Sequence, residues 1–291
     1  MEENKTNINW YPGHMAKTKR QIENDLKLID VVIELIDSRI PISSRNPDIK
    51  KLISNKKRVI VLNKSDMADD SQNKKWAEKL SKEAPTVIAD CNSGRGVDKI
   101  SKKIDELMKD EIEKQKARGR INKTIRVMIL GIPNVGKSTL INKMAKSNRV
   151  AASNKPGVTR QNQWIRISKN QELLDTPGVL WPKFNDEVGL NLAYTGSIKD
   201  DILETTEIAY ELLKKLVENY KDDVLNRYNI TKEEYEDILK NGNPTYELMQ
   251  FIARKRGALV QGGTVDEEKV ARIIINDFRT CKIGRITLER V

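Results

Sequence analysis

Cysteine, histidine and aromatic residues are scarce in this 291-residue chain: it has two cysteines and one histidine, and only 5% of its residues are Phe, Trp or Tyr. Cys91 and Cys281 lie far apart, without the close spacing of metal ligands. That argues against a zinc site or a disulfide and fits a reducing compartment. No apolar run approaches the ~18–20 residues of a membrane span. The opening MEENKTNINW carries two acids and lacks the apolar core of a secretory leader. Internal repeats and low-complexity tracts are absent too. The expectation is a cytoplasmic globular protein with no membrane partner.

Charge is what the chain has in plenty. Lys and Arg number 53 against 42 Asp and Glu, a formal net charge of +11. Such an excess favours a polyanionic partner, because counterions released from phosphate arrays drive association. Lysine used for solubility alone is the plainer alternative. The length suits one large domain with a smaller companion.

Three short, β-branched runs, Val31–Ile36, Arg58–Leu62 and Thr86–Ala89, alternate with helix-sized segments Pro47–Asn55 and Ser71–Glu83. Apolar residues without alternation indicate strands buried on both faces of a parallel sheet. Val97 to Ala117 has apolar residues at helical spacing and ends near Gly119. A fresh strand follows at Ile125–Leu130, then a hairpin of Gln163–Ile167 and Glu172–Leu174 turning at Lys169–Asn170. Beyond Leu190 only helices are expected: Thr205–Asn219, Thr231–Lys240, Thr245–Lys255 and Asp266–Asp277. A domain boundary is placed near Pro182–Gly189.

The segment Gly131-Ile132-Pro133-Asn134-Val135-Gly136-Lys137-Ser138 fits GxxxxGK[ST] between a strand and a helix. In that setting glycines let main-chain amides wrap phosphates, Lys137 reaches the β and γ phosphates, and Ser138 ligates Mg²⁺. Asn134, Val135, Gly136 and Thr139 complete the cradle. The loop alone does not choose between ATP and GTP.

Asn63-Lys64-Ser65-Asp66 supplies the choice. A carboxylate at Asp66 can accept from N1–H and the 2-amino group of guanine, whereas adenine presents a lone pair at N1 and is penalised. Asn63 would bridge the base region to the phosphate loop, and the Lys64 stem would cover the base. The alternative is that Ser65 or Asp66 merely caps the next helix. Ala89-Asp90-Cys91-Asn92-Ser93 follows the next strand, where a main-chain contact to guanine belongs, although its match to [ST]A[KL] is poor. Asp175-Thr176-Pro177-Gly178 fits DxxG, with Asp175 holding Mg²⁺ through water and Gly178 sensing the γ-phosphate. Thr159 is a first-switch threonine able to meet both Mg²⁺ and γ-phosphate.

The guanine element thus precedes the phosphate loop. With this order the chain resembles the circularly permuted GTPases, most closely their bacterial large-subunit assembly members. Trp10-Tyr11-Pro12-Gly13-His14-Met15-Ala16-Lys17, Asp37-Ser38-Arg39-Ile40-Pro41, Ser44-Arg45-Asn46-Pro47 and Leu180-Trp181-Pro182-Lys183 carry the likeness. The resemblance implies an α/β fold in which a circularly permuted Ras-like domain (residues 1–185, mostly parallel sheet, helices on both faces) precedes a smaller all-α, basic domain (186–291). It further implies a GTPase using GTP/GDP and Mg²⁺ that binds a late large-subunit precursor through rRNA and ribosomal proteins, promotes a maturation step and leaves after hydrolysis, monomeric off the ribosome. Asn134 resembles the asparagine of relatives that recruit K⁺. His14, read on a Pro-Gly loop, is a candidate to orient the attacking water; local capping or rRNA contact are its alternatives. Arg254, Lys255, Arg256, Arg272, Arg279, Lys282 and Arg285 are read together as an RNA-facing set. The four tryptophans are read as packing residues. An ATP-driven motor and an RNA scaffold with a structural, scarcely hydrolysed nucleotide are the rival readings.

Overall fold

The computed structural model describes residues 13–119, 123–146, 164–174, 184–198 and 204–291; at 13–18 and 146 it describes the main chain alone. The described residues form two compact units that divide at Asn185.

The first unit is built on a sheet of β1 (Val31–Asp37), β2 (Lys57–Asn63), β3 (Thr86–Ile88), β4 (Ile125–Leu130), β5 (Trp164–Arg166) and β6 (Gln171–Leu174), in the spatial order β3-β2-β1-β4-β6-β5. All its pairings are parallel except the β5–β6 hairpin. Buried, β-branched runs form these strands because both faces are covered. Register fixes which residues share a face: Val32 stands opposite Met128, and Ile36 opposite Leu62. This face packs under α1 (Gly13–Leu26), α2 (Pro47–Leu52) and α3 (Asp70–Ser81), which supply Ile22, Ile49 and Trp76. The other face carries Val31, Ile33 and Leu35, and α4 (Val97–Ala117) packs against β2 and against α5 (Lys137–Lys146). Ile100, Ile104 and Met108 of α4 are fully buried, as the helical spacing predicts.

From β1 the chain steps outward to β2 and β3, then resumes on the other side of β1 at β4 and steps outward to β6. The order therefore reverses between β1 and β4, where the carboxyl ends of parallel strands open a crevice suited to ligands. Read from β4 onward, with β1–β3 placed after β6, the sheet is of Ras type. The permutation is a cut and rejoining of the chain, not a new sheet.

The second unit holds α6 (Asp186–Tyr194), α7 (Thr205–Tyr228), α8 (Lys232–Leu239), α9 (Pro244–Arg256) and α10 (Glu267–Arg279). Apart from α7, their starts are set by side chains that satisfy free amides. Thr231 and Glu234 form a reciprocal capping box, while Asn243 and Asp266 accept from Tyr246 and Lys269. Asp277, nearly buried on α10, takes both arms of Arg227 on α7 at 2.9 and 3.0 Å.

The structure departs from the sequence reading in three places. His14 is the second residue of α1 and not part of a Pro-Gly loop. The helix expected to end at Asn219 continues to Tyr228 after a break at Tyr220 (φ −139°), whose hydroxyl is held by both main-chain groups of Thr287. Helix α6 was missed, because nine residues beside a boundary give too little periodicity.

Candidate nucleotide site

Three loops leave the carboxyl ends of β2, β3 and β4 and are joined by one side chain. Asn63 ends β2; its Nδ2 donates to the Val135 carbonyl at 2.7 Å, and its Oδ1 accepts from the Cys91 amide at 3.0 Å. The bridge expected from Asn63 to the phosphate loop is therefore present, and it extends to the loop after β3. Gly136 has φ +103°, and a Cβ there would strike the Asn63 amide. A Cβ on Gly131 would come within 2.6 Å of the Leu35 carbonyl on β1. Both glycines of the motif are thus required by close approach, one of them also by backbone conformation.

Lys137 opens α5 and is buried, its ammonium donating to the carbonyls of Gly131 (3.1 Å) and Ile132 (2.7 Å). The cation thus sits inside the curl of its own loop. Asn134 holds a left-handed conformation (φ 58°) at the exposed tip, Ser138 is exposed in the first turn of α5, and Thr139 is half-buried beside it. Main-chain amides at a helix start, a lysine within the curl and an exposed hydroxyl fit a polyphosphate with its metal ion.

At the neighbouring loop the helix-cap alternative fails. Helix α3 is capped by Asp69, which accepts from the amides of Ser71 (2.7 Å) and Gln72 (3.3 Å). Ser65 instead accepts from Arg95 through its hydroxyl and from Asn73 through its carbonyl. Asp66 is left with a buried Oδ1 that has no hydrogen-bond partner among the described residues. A carboxylate oxygen withdrawn from water without a donor is costly, and such a group marks where a ligand's donors belong.

Cys91 lies beside that carboxylate. Burial, then the charges of Asp90 and Asp66, push its thiol up to about 12. Asp90 shapes the turn by accepting from the amides of Asn92 (2.9 Å) and Ser93 (3.2 Å). Burial opposes ionisation of Asp90, but these bonds and the Arg95 charge hold its carboxyl below the usual range. The amides of Cys91 and Asn92, offered to guanine by the sequence reading, each already have an acceptor within the protein.

Lys64 (φ 59°) turns back to place its ammonium 3.0 Å from Asp37, an aspartate the sequence reading treated only as part of a family block. Thr159, Asp175 and Gly178 lie outside the described residues, as does the His14 side chain. No cluster of three or more acidic, His or Cys groups suited to a metal occurs among the described residues.

The basic set of the second unit divides. Arg279 donates to the carbonyls of Tyr194 (3.0 Å) and Ala193 (2.7 Å), and Arg256 to that of Arg227 (2.7 Å) while lying over the Tyr228 ring. These two hold the fold together and leave the RNA-facing set. Arg254, Lys255, Arg272, Lys282 and Arg285 are exposed, Lys255 with its ammonium 3.0 Å from a Glu234 carboxylate oxygen. Trp76 is buried and Trp164 packs against the core, as expected; Trp10 and Trp181 lie outside the described residues. No helix among the described residues is long and apolar enough to cross a membrane.

A Ras-type sheet with its guanine loop ahead of its phosphate loop defines a P-loop GTPase with a circularly permuted domain. A family model described as 50S ribosome-binding GTPase matches residues 126–249, beginning on β4. Ribosome biogenesis GTPase A of Bacillus licheniformis is 46% identical over 97% of this chain and 98% of its own. The protein of the same name from Thermotoga maritima is 30% identical over 97% and 94%. The chain belongs to the ribosome biogenesis GTPase A family. A GDP-bound structure of TM YlqF superposes with a TM-score of 0.65 at 27% identity, over 93% of this chain and 99% of that one. A GNP-bound structure of YlqF from T. maritima superposes at 0.63 with the same identity, over 94% and 98%.

Proposed function

We propose that this protein is a GTP-hydrolysing switch that binds a late precursor of the large ribosomal subunit, promotes its maturation and is released after hydrolysis. The observation that carries the guanine half of this reading is the buried, unpartnered Oδ1 of Asp66 beside a loop tied to the phosphate cradle by Asn63. Guanine N1–H and its 2-amino group supply the donors this oxygen lacks; adenine N1 would set a lone pair against it. Lys137, Ser138 and the amides of the loop hold the phosphates and Mg²⁺, with Asp175, Thr159 and Gly178 completing the metal and switch contacts. Bound Mg²⁺ offsets charge on the phosphate oxygens.

The ribosomal half is supported by family membership and the +11 charge. In this reading residues 1–185 are the switch, and 186–291 contribute Arg254, Arg272, Lys282 and Arg285 to rRNA contact. A ligand shifts a switch only through unequal affinity for its two states. Particle binding is therefore measured with GDP and with a non-hydrolysable GTP analogue across a salt series. The expected result is tighter binding with the analogue and a steep loss with salt. Equal binding of the two forms would refute the switch, and salt-independent binding would refute the phosphate contacts.

A further inference from the structure

Asp37, at the end of β1, is 1% exposed and is held from two sides. Arg39 grips it in a fork, Nε to Oδ1 at 3.0 Å and Nη2 to Oδ2 at 2.8 Å, while its own amide also donates to Oδ1 at 3.0 Å. From the end of the adjacent strand β2 the Lys64 ammonium lies 3.0 Å from Oδ2. Burial by itself would favour the neutral acid, but Arg39 and Lys64 override it and hold the carboxyl well below the usual carboxylate range. One buried carboxylate thus serves two cations, and the fork of Arg39 alone would satisfy it.

The second cation comes from the guanine loop. Asp37 and Asn63 are register partners at the ends of β1 and β2, and Lys64 is the next residue. Its left-handed conformation separates the two side chains: Asn63 reaches Val135 and Cys91, whereas Lys64 reaches back to Asp37. The four-carbon stem is therefore stretched between the guanine loop and the end of β1, two residues before the unpartnered Asp66 oxygen. A free lysine stem samples many rotamers, and ordering it on binding costs affinity. Here the ion pair has already ordered it.

We propose that Asp37 is a positioning residue for base recognition: it pins the Lys64 ammonium so that the lysine stem stands as a fixed apolar wall of the guanine pocket beside Asp66. The inference rests on reading Asn63–Asp66 as the guanine loop. Asp37 does not touch the nucleotide. Its influence is confined to ligands that carry a base.

That confinement makes it testable. GDP affinity and the affinity of inorganic tripolyphosphate, which occupies the phosphate cradle and has no base, are measured by competition for wild type, Asp37→Asn, Lys64→Met, the double variant and Asp66→Asn. Lys64→Met keeps a stem, loses the ammonium and leaves the buried Asp37–Arg39 fork intact, so it decides the question should Asp37→Asn fold poorly. Asp37→Asn and Lys64→Met are each expected to lose about tenfold in GDP affinity, the order expected when a preordered side chain is released. Tripolyphosphate binding stays unchanged, and the double variant is no worse than either single one. Equal losses for GDP and tripolyphosphate, additive losses in the double variant, or wild-type GDP affinity in Lys64→Met would each overturn the proposal. If Asp66→Asn also leaves GDP binding intact, the guanine reading fails with it. If Asp66→Asn weakens GDP while Lys64→Met does not, only the role of Asp37 falls.

Discussion

The side-chain amide of Asn63 donates to the carbonyl of Val135 at 2.7 Å, joining residues 72 positions apart in the chain. Its Oδ1 takes the Cys91 amide in the same stroke. Asn63→Ala strands two main-chain groups at a buried site, at about 1–3 kcal/mol for each group left unsatisfied. The expected outcome is a protein about 2–6 kcal/mol less stable to denaturant even without nucleotide. Unchanged stability would mean that water replaces both bonds and that the bridge has no structural weight.

Asp66 predicts the opposite pattern. Its buried Oδ1 has no partner to lose among the described residues, so Asp66→Asn should alter stability without nucleotide by no more than about 0.5 kcal/mol. Guanine affinity should nevertheless fall by at least about 100-fold, since an amide would face the donors of the base. Xanthine nucleotides, whose 2-oxo group accepts from that amide, should gain. Parallel titrations with GDP and XDP check this; intact guanine selectivity would remove Asp66 from the site.

These two residues also mark what a sequence can disclose. Asn63, Asp66, Lys137 and the glycines were legible because nucleotide chemistry fixes residue type and spacing over a few positions. The buried strands were legible because both faces of a parallel sheet are covered. Distant pairings were not: nothing in the pattern near Asp37 announces Lys64, and nothing near Arg279 announces the end of α6. An arginine that fastens a helix terminus and one that faces RNA look alike in a sequence, which is why Arg256 and Arg279 were misread. Asp69 escaped notice as the cap of α3 because Ser65 and Asp66 offered equally good capping chemistry upstream.

Glu83 governs part of the acid limb of stability. It accepts from Arg45 and Arg58 and lies within 3.3 Å of Lys50; against the opposing effect of burial, Arg45 and Lys50 lower its carboxyl from 4.5 to about 2, with the Arg45 hydrogen bond the largest cause. A carboxyl depressed in the folded state stabilises fully above its unfolded value of 4.5 and loses that contribution as pH falls toward 2. Glu83→Gln should therefore reduce stability at neutral pH, converge with wild type near pH 2 and flatten the slope between. Partial exposure keeps the effect small, about 1 kcal/mol. Superimposable stability profiles from pH 7 to 2 would show that Glu83 has no such part.

The hydrolytic step is the last to be tested, and it turns on a residue that is missing. Val179 follows Gly178, at the position where Ras-type enzymes carry the glutamine that orients the attacking water. An apolar side chain cannot hydrogen-bond water, so turnover by the protein alone should be no faster than about 10⁻⁴–10⁻² s⁻¹. Potassium in place of sodium should raise it if Asn134, exposed at the tip of the phosphate loop, helps to hold the ion. On the proposed function, a ribosomal particle is expected to supply or position the missing group. His14, the chain's one histidine and the second residue of α1, is the candidate, since a neutral imidazole can accept from water. The measurement separates three quantities in His14→Ala: nucleotide affinity, particle binding and particle-stimulated hydrolysis. Only the third should collapse. Full stimulated turnover, or a loss accounted for entirely by weaker particle binding, would exclude His14 from the chemistry and leave the particle itself to orient the water.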